Sequence, residues 1–318
     1  MLKPLLKWGI LGGVFFFLLQ TLRSNWQDIT AIHITAAGWS CIVGATGITL
    51  FAHIWSGWVW GWILADLNYP HAQGSWSVLT YLKTNIAKYL PGNIWHFYGR
   101  VMAAKAIAIP IEASTVSVIM EALLMAAAAL MVGLLSSQQL NLPIQSACLV
   151  IGLLSIHPRI LNPILKRLKT SKLKSVMQLG TPKKDSNDSD AVVLPSDSPS
   201  ITQLKRYPVL SLIGELGFLG LRSLGFMGVA IALTPIPWAQ FPAILSGFSL
   251  AWMLGLVIPG TPGGIGVFEA TAIALLSKTT VLSSGIILST VALYRLVSTI
   301  AEAIGAFVAW IDERINEG

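Results

Sequence analysis

Apolar residues run along this chain in long blocks, interrupted by short polar stretches, and the block lengths predict the elements. Blocks at about Leu5–Leu22, Ala36–Leu64, Ala113–Leu135, Pro208–Leu233 and Ala239–Ile258 are each long enough for a helix that crosses a bilayer. A shorter block, about Leu142–Ile156, ends at His157-Pro158. A brief apolar piece at about Val267–Leu276 precedes a last run, Val281–Ile311. As one helix that run would reach about 45 Å, beyond a hydrocarbon core of about 30 Å, so it must tilt, kink or protrude. The pattern predicts an all-α polytopic membrane protein with about 7–8 transmembrane helices.

Two segments break the pattern. Residues 66–112 are less apolar, and residues 161–207 are hydrophilic, opening on "KRLKTSKLK" and continuing through Ser, Asp and Pro with few aromatics. The second reads as a flexible linker. It divides the chain into a first membrane half, 1–160, and a second, 208–318. Its Lys/Arg excess predicts that it is cytoplasmic, and counting spans back places the N-terminus on the same side, with Lys3 and Lys7. The first block has no small-residue cleavage site after it and Arg23 flanks it, so it reads as an uncleaved span.

Composition fits this class. Only 11% of residues are charged and 54% are hydrophobic, which excludes an ordinary soluble domain. The net charge of +7 follows from loop topology, with attraction to anionic lipid headgroups as a second reading; nucleic acid is not an expected partner. Cys41 and Cys148 lie inside apolar runs and read as packing residues.

A repeated break raises the first functional question. "PGNIWHF" begins at Pro91 and "PGGIGVF" at Pro262; both read Pro-Gly-x-Ile-x-x-Phe, one in each half. Proline and glycine destabilise helix, and unpaired backbone groups cannot face hydrocarbon. Such breaks are tolerated beside protein or a water-filled cavity, and internal repeats with discontinuous helices are a transporter pattern. The segments near 76–100 and 259–278 are therefore expected to be re-entrant Pro-Gly helical hairpins in two related halves. Gly92, Gly263, Gly264 and Gly266 would present free N–H groups to an anion such as phosphate. The plainer alternative is a tight turn with glycine as a packing spacer.

Ionisable residues inside the blocks sharpen the question. Glu121, Glu215, Arg222, Arg295 and Glu302 fall within predicted spans, and Glu269 follows the second break. Each costs roughly 2.5–3.5 kcal/mol near mid-bilayer on insertion scales, so all must face inward, pair or touch water. Glu215 and Arg222 are seven apart, as are Arg295 and Glu302, so each pair shares a helix face and reaches toward other helices. The signs differ between halves: Arg100 then Glu121 in the first, Glu269 then Arg295 in the second. Crossed pairs, Arg100–Glu269 and Glu121–Arg295, are expected to neutralise the core. These pairs either hold the halves together or leave an arginine for a headgroup phosphate.

Ahead of the first break, "SWSVLTYLKTNIAKYL" sets Trp76, Leu79, Leu82 and Ile86 against Thr80, Lys83, Thr84, Asn85 and Lys88. It reads as an interfacial amphipathic helix whose lysines meet lipid phosphates. Trp95, His96 and Tyr98 are candidates to line a headgroup pocket. The five histidines show no metal-ligand spacing, no Walker A or HExxH pattern occurs, and "DSD" at 188–190 lies in the linker. No cofactor and no metal is expected.

The stretches "KTNIAKYLPGNIWHFYGRV", "PGTPGGIGVFEA" and "LYRLVSTIAEAIG", with Glu121 between the first two, resemble the lysylphosphatidylglycerol synthase transmembrane-domain family, a flippase-like module. By that resemblance Asn85, Pro91, Gly92, Arg100, Glu121, Pro262, Gly263, Gly264, Gly266, Glu269 and Arg295 match recurring positions. One departure concerns the headgroup: where many members have a glycine and an acid soon after the first Pro-Gly, this chain has Trp95-His96. The aminoacyltransferase domain of fused relatives is absent from these 318 residues, so the resemblance implies lipid translocation rather than synthesis. The expected protein is a stand-alone plasma-membrane lipid translocase for a phosphate-bearing headgroup. Its expected partners are membrane lipids and a separate lipid-modifying enzyme. The competing readings are a membrane-embedded enzyme on a lipid-linked substrate and a non-transporting scaffold for such an enzyme.

Overall fold

A computed structural model describes residues 33–90, 94–137, 141–155, 157–160, 162–163, 206–258 and 266–317, with Gln20 and Arg23. The first predicted span and nearly all of the 161–207 linker lie outside these residues. So do Pro91, Gly92, Pro262, Gly263 and Gly264, and with them the two expected hairpin turns.

Among the described residues the ordered elements are all helical. They are α1 (Ala36–Asp66), α2 (Ser75–Asn85), α3 (Trp95–Ala106), α4 (Ile111–Leu135), α5 (Leu142–Ser155), α6 (Val209–Leu233), α7 (Phe241–Val257), α8 (Val267–Thr279) and α9 (Ser284–Glu317). Short 3-10 turns at Pro70–Ala72, Ile86–Tyr89 and Trp238–Gln240 join some of them. Among the described residues five helices are long and apolar enough to cross a membrane: α1, α4, α6, α9, and α7 with its preceding turn. The chain is membrane-embedded. α5, 14 residues long, is apolar but falls short of that length. The last run is one continuous helix of 34 residues, about 51 Å long.

Local chemistry sets the helix ends. Thr35 caps α1, its hydroxyl accepting from the Gly38 N–H at 3.1 Å. Pro110 and Pro208 stand just ahead of α4 and α6, where a missing N–H costs nothing. Hydroxyls within the apolar helices bond one turn back: Thr46 to the Ile42 carbonyl, Thr115 to Ile111, Ser223 to Leu219, Thr290 to Ile286. That satisfies them without a neighbour.

α1 and α6 form the centre and pack along each other's length. Small residues permit this: a Cβ on Gly225 would meet the Thr49 hydroxyl at 2.5 Å, and one on Gly214 would meet Val59 at 2.6 Å. Trp55 donates its indole N–H to the Gly214 carbonyl at 2.7 Å. Around this pair the contacts of the two halves mirror each other. α4 packs on α6 and α7, while α9 packs on α1 and α2; α3 lies on α4 as α8 lies on α9. One core, with the interlocking rings of Phe226, Phe248, Phe268 and Tyr294, joins α6, α7, α8 and α9. Another, around Val59, Ile63, Met120, Leu124 and Leu212, joins α1, α4 and α6.

Candidate functional site

The charged residues inside the helices meet in two clusters. In the first, Arg100 of α3 is buried and its guanidinium donates to a carboxylate oxygen of Glu121 on α4. The guanidinium also lies 4.6 Å from the Tyr81 ring centre and within 6 Å of those of Phe97 and Trp60. Such faces attract a desolvated cation. Tyr81 accepts from Ser56 of α1 at 3.0 Å. Glu215 of α6 is 0% exposed; its charged neighbours are Glu121 and Arg100, and neither of its oxygens has a hydrogen-bond partner.

The second cluster centres on Glu302 of α9. Its Oε1 accepts from Lys88 Nζ at 2.5 Å and lies 3.2 Å from His53 Nε2 of α1. His53 Nε2 also faces Arg222 NH1 at 3.2 Å, and its Nδ1 faces the Asn85 amide at 3.4 Å. Arg222 lies over the Tyr294 ring, 5.2 Å from its centre, and the Tyr294 hydroxyl donates to the Arg222 carbonyl at 3.1 Å. Arg222 is 7% exposed, its Nε has no partner, and no carboxylate among the described residues lies within salt-bridge distance of it. Lys88 feels Glu302, Arg222 and Arg295 together. Three cations thus surround two acids, Glu302 and the Glu269 that pairs with Arg295.

Glu269 answers why an acid follows the second break. Gly266, at φ +98°, a backbone that favours glycine, precedes the first turn of α8. The Glu269 carboxylate folds back so that Oε2 accepts the Gly266 N–H at 2.5 Å, while Oε1 accepts from Arg295 Nε at 2.5 Å. It sits where the helix dipole favours negative charge.

Several expectations are corrected by this geometry. The ion pairs are not crossed between halves: Arg100 pairs with Glu121 and Arg295 with Glu269. In each half the helix after the break packs on the next long helix, so these partners meet first. Gly266 does not offer its N–H to an outside anion, because Glu269 already takes it. The polar side of α2 and the turn after it is partly taken up by protein: Asn85 is buried against His53, Lys88 pairs with Glu302 at 2.5 Å, and the exposed Lys83 pairs with Glu313 at 2.5 Å. α2 packs between α1, α3 and α9, and α9 carries the acids. Lys83 lies at an exposed end, away from both clusters. Trp95 and Tyr98 are exposed and meet edge to face, whereas His96 between them is buried.

The shared faces read from seven-residue spacing do appear. Glu215 and Arg222 do not bond each other, nor do Arg295 and Glu302, and Arg222, Arg295 and Glu302 bond groups on other elements. The sequence reading missed His53, the hub of the second cluster. Its signal was available, since an ionisable residue amid an apolar span marks a functional position by default. Tyr81 and Tyr294 carried no such signal.

Among the described residues no group of three His, Cys, Asp or Glu is placed to hold a metal ion. What the second cluster offers is recognition of an anion by guanidinium and ammonium groups in a largely buried setting, where charge-assisted hydrogen bonds are strong. In comparison with known proteins, no family model matches the chain and no curated protein matches it.

Proposed function

We propose that the protein is a flippase-like lipid translocase of the plasma membrane, moving a phosphate-bearing headgroup between leaflets. The observation that carries the reading is Arg222: a guanidinium buried among apolar helices with no carboxylate at salt-bridge distance among the described residues. A charge in that position is costly unless something compensates it. With Lys88 nearby, and among the described residues one carboxylate, Glu302, to balance Lys88 and Arg222, the cluster is one anion short. A headgroup phosphate has the charge and the acceptor oxygens to fill that place.

The physical task is to carry a polar group through hydrocarbon without its water. Fixed donors along the path substitute for hydration and lower the barrier. In this reading the two halves are related, and the mirrored packing of α1–α4 and α6–α9 supports that relation. The Pro-Gly segments are re-entrant turns, the helix count is 7–8 with the first span and α5 included, and the N-terminus and the 161–207 loop are cytoplasmic. The resemblance of the three quoted stretches to the lysylphosphatidylglycerol synthase transmembrane family points the same way, and a separate lipid-modifying enzyme is the expected supplier of the lipid.

The test is reconstitution into vesicles containing headgroup-labelled lipids of several classes, with circular dichroism confirming folded protein. Wild type should exchange at least one phosphate-bearing lipid faster than protein-free vesicles, and Arg222→Gln should bring exchange close to the protein-free rate. Exchange at the protein-free rate for every lipid, or an Arg222→Gln variant as fast as wild type, refutes the reading.

A further inference from the structure

The first cluster has the opposite imbalance to the second. Glu121 and Glu215 face a single guanidinium, Arg100, and only Glu121 bonds it. Three acidic oxygens there have no donor: both of Glu215 and Oε1 of Glu121. Glu215 is 0% exposed and sits between Gly214 and Leu216 on the face of α6 that packs against α1 and α4. Its own helix offers Arg222, but two turns away, about 10 Å along the axis.

Among the described residues no other cation bonds either carboxylate. α4 presents Glu121, α2 the phenol of Tyr81, and α3 Arg100 and the buried His96, whose charged neighbours are Arg100, Lys88 and Glu302 rather than the two acids. α1 presents His53, committed to Glu302 and Asn85, and Asp66, which accepts from Ser211 at the start of α6. α9 presents Tyr294, Glu302 and Arg295, the last paired with Glu269, and α7 has no titratable residue. A buried carboxylate in this position needs a cation beside it.

We propose that the Glu121–Glu215 pair is a binding site for a small monovalent cation, a proton or Na⁺, held inside the helix bundle beside Arg100. The site takes one positive charge, which brings two carboxylates and one guanidinium to neutrality. It is separate from the anion-seeking cluster around Arg222, and it stands whether or not a lipid is moved. A bound cation beside Glu215 and an anion beside Arg222, two turns along α6, would give the translocase an ion to couple to.

The test uses the purified full-length chain in detergent and reads thermal unfolding. One arm raises Na⁺ at constant ionic strength against choline; the other lowers pH at fixed Na⁺. In one arm wild type should gain about 5 °C as the site fills. Glu215→Gln should lose that response, because the site is then neutral without a cation. Glu121→Gln should lose it too, because Arg100 is left to balance Glu215 alone. A gain only with Na⁺ names sodium, and a gain only with acid names the proton. Wild type that responds in neither arm, or a folded variant that responds as wild type does, overturns the proposal. If neither variant folds, the wild-type arms decide. Vesicle exchange is scored separately, so a failed translocase reading and a failed cation site give different results.

Discussion

Replacing Arg100 by methionine tests the pairing of the first cluster most directly. The Arg100 side chain is 3% exposed and that of Glu121 is 2%, so neither charge has water to fall back on. Arg100→Met leaves Glu121 unpaired beside Glu215 and removes the cation from the faces of Tyr81, Trp60 and Phe97. Breaking a buried pair by removing one partner costs about 3–5 kcal/mol. At about 2 °C per kcal/mol for a chain of this size, the midpoint of thermal unfolding should fall by about 6–10 °C. Glu121→Leu should cost less, since Glu215 remains within reach of the same guanidinium. The double variant removes both charges and should be close to the better single variant, giving a coupling energy near the whole Arg100→Met loss, about 3–5 kcal/mol. The same cycle with Glu269→Leu in place of Glu121→Leu should be additive to within about 0.5 kcal/mol, because Glu269 belongs to Arg295. Thermal unfolding in detergent, followed by circular dichroism, gives all the values. Coupling between Arg100 and Glu269 with none between Arg100 and Glu121 would refute the pairing and restore the crossed arrangement.

Other outcomes follow from single contacts. Gly57→Ala places a Cβ 2.7 Å from the Val78 Cα, a backbone atom that cannot swing aside, so α1 and α2 must separate; the expected loss is about 1–3 kcal/mol by the same unfolding assay. Glu269→Gln weakens both the Arg295 pair and the Gly266 back-bond. With Arg295 26% exposed at its side chain, the expected loss is about 1–2 kcal/mol, and hydrogen exchange at the start of α8 should quicken. Lys83→Ala breaks an exposed pair with Glu313 and should change stability by about 0–1 kcal/mol, with lipid exchange unaltered. Arg222→Gln should preserve the fold and abolish exchange in vesicles, which separates a headgroup contact from a packing role.

The sequence by itself determined the spans, because a bilayer requires a minimum apolar length and interrupts it with charge only where protein faces protein. Six of the predicted blocks match described helices to within three residues, and the last run is carried further, to Glu317. It also determined which charges share a helix face, since a seven-residue spacing is nearly two turns whatever the neighbours are. The role of Glu269 was within local reach as well: an acid three residues after a helix-starting glycine folds back on the same turn. Only the tertiary structure decided the partners. Whether Arg100 meets Glu121 or Glu269 depends on how α3 and α4 are rotated against each other, and opposite signs in the two halves allowed either pairing. The hub at His53 likewise exists only because α1, α2, α6 and α9 bring Asn85, Arg222 and Glu302 to one ring. Periodicity fixes the face a side chain occupies; packing, through the small residues between α1 and α6, fixes what that face meets.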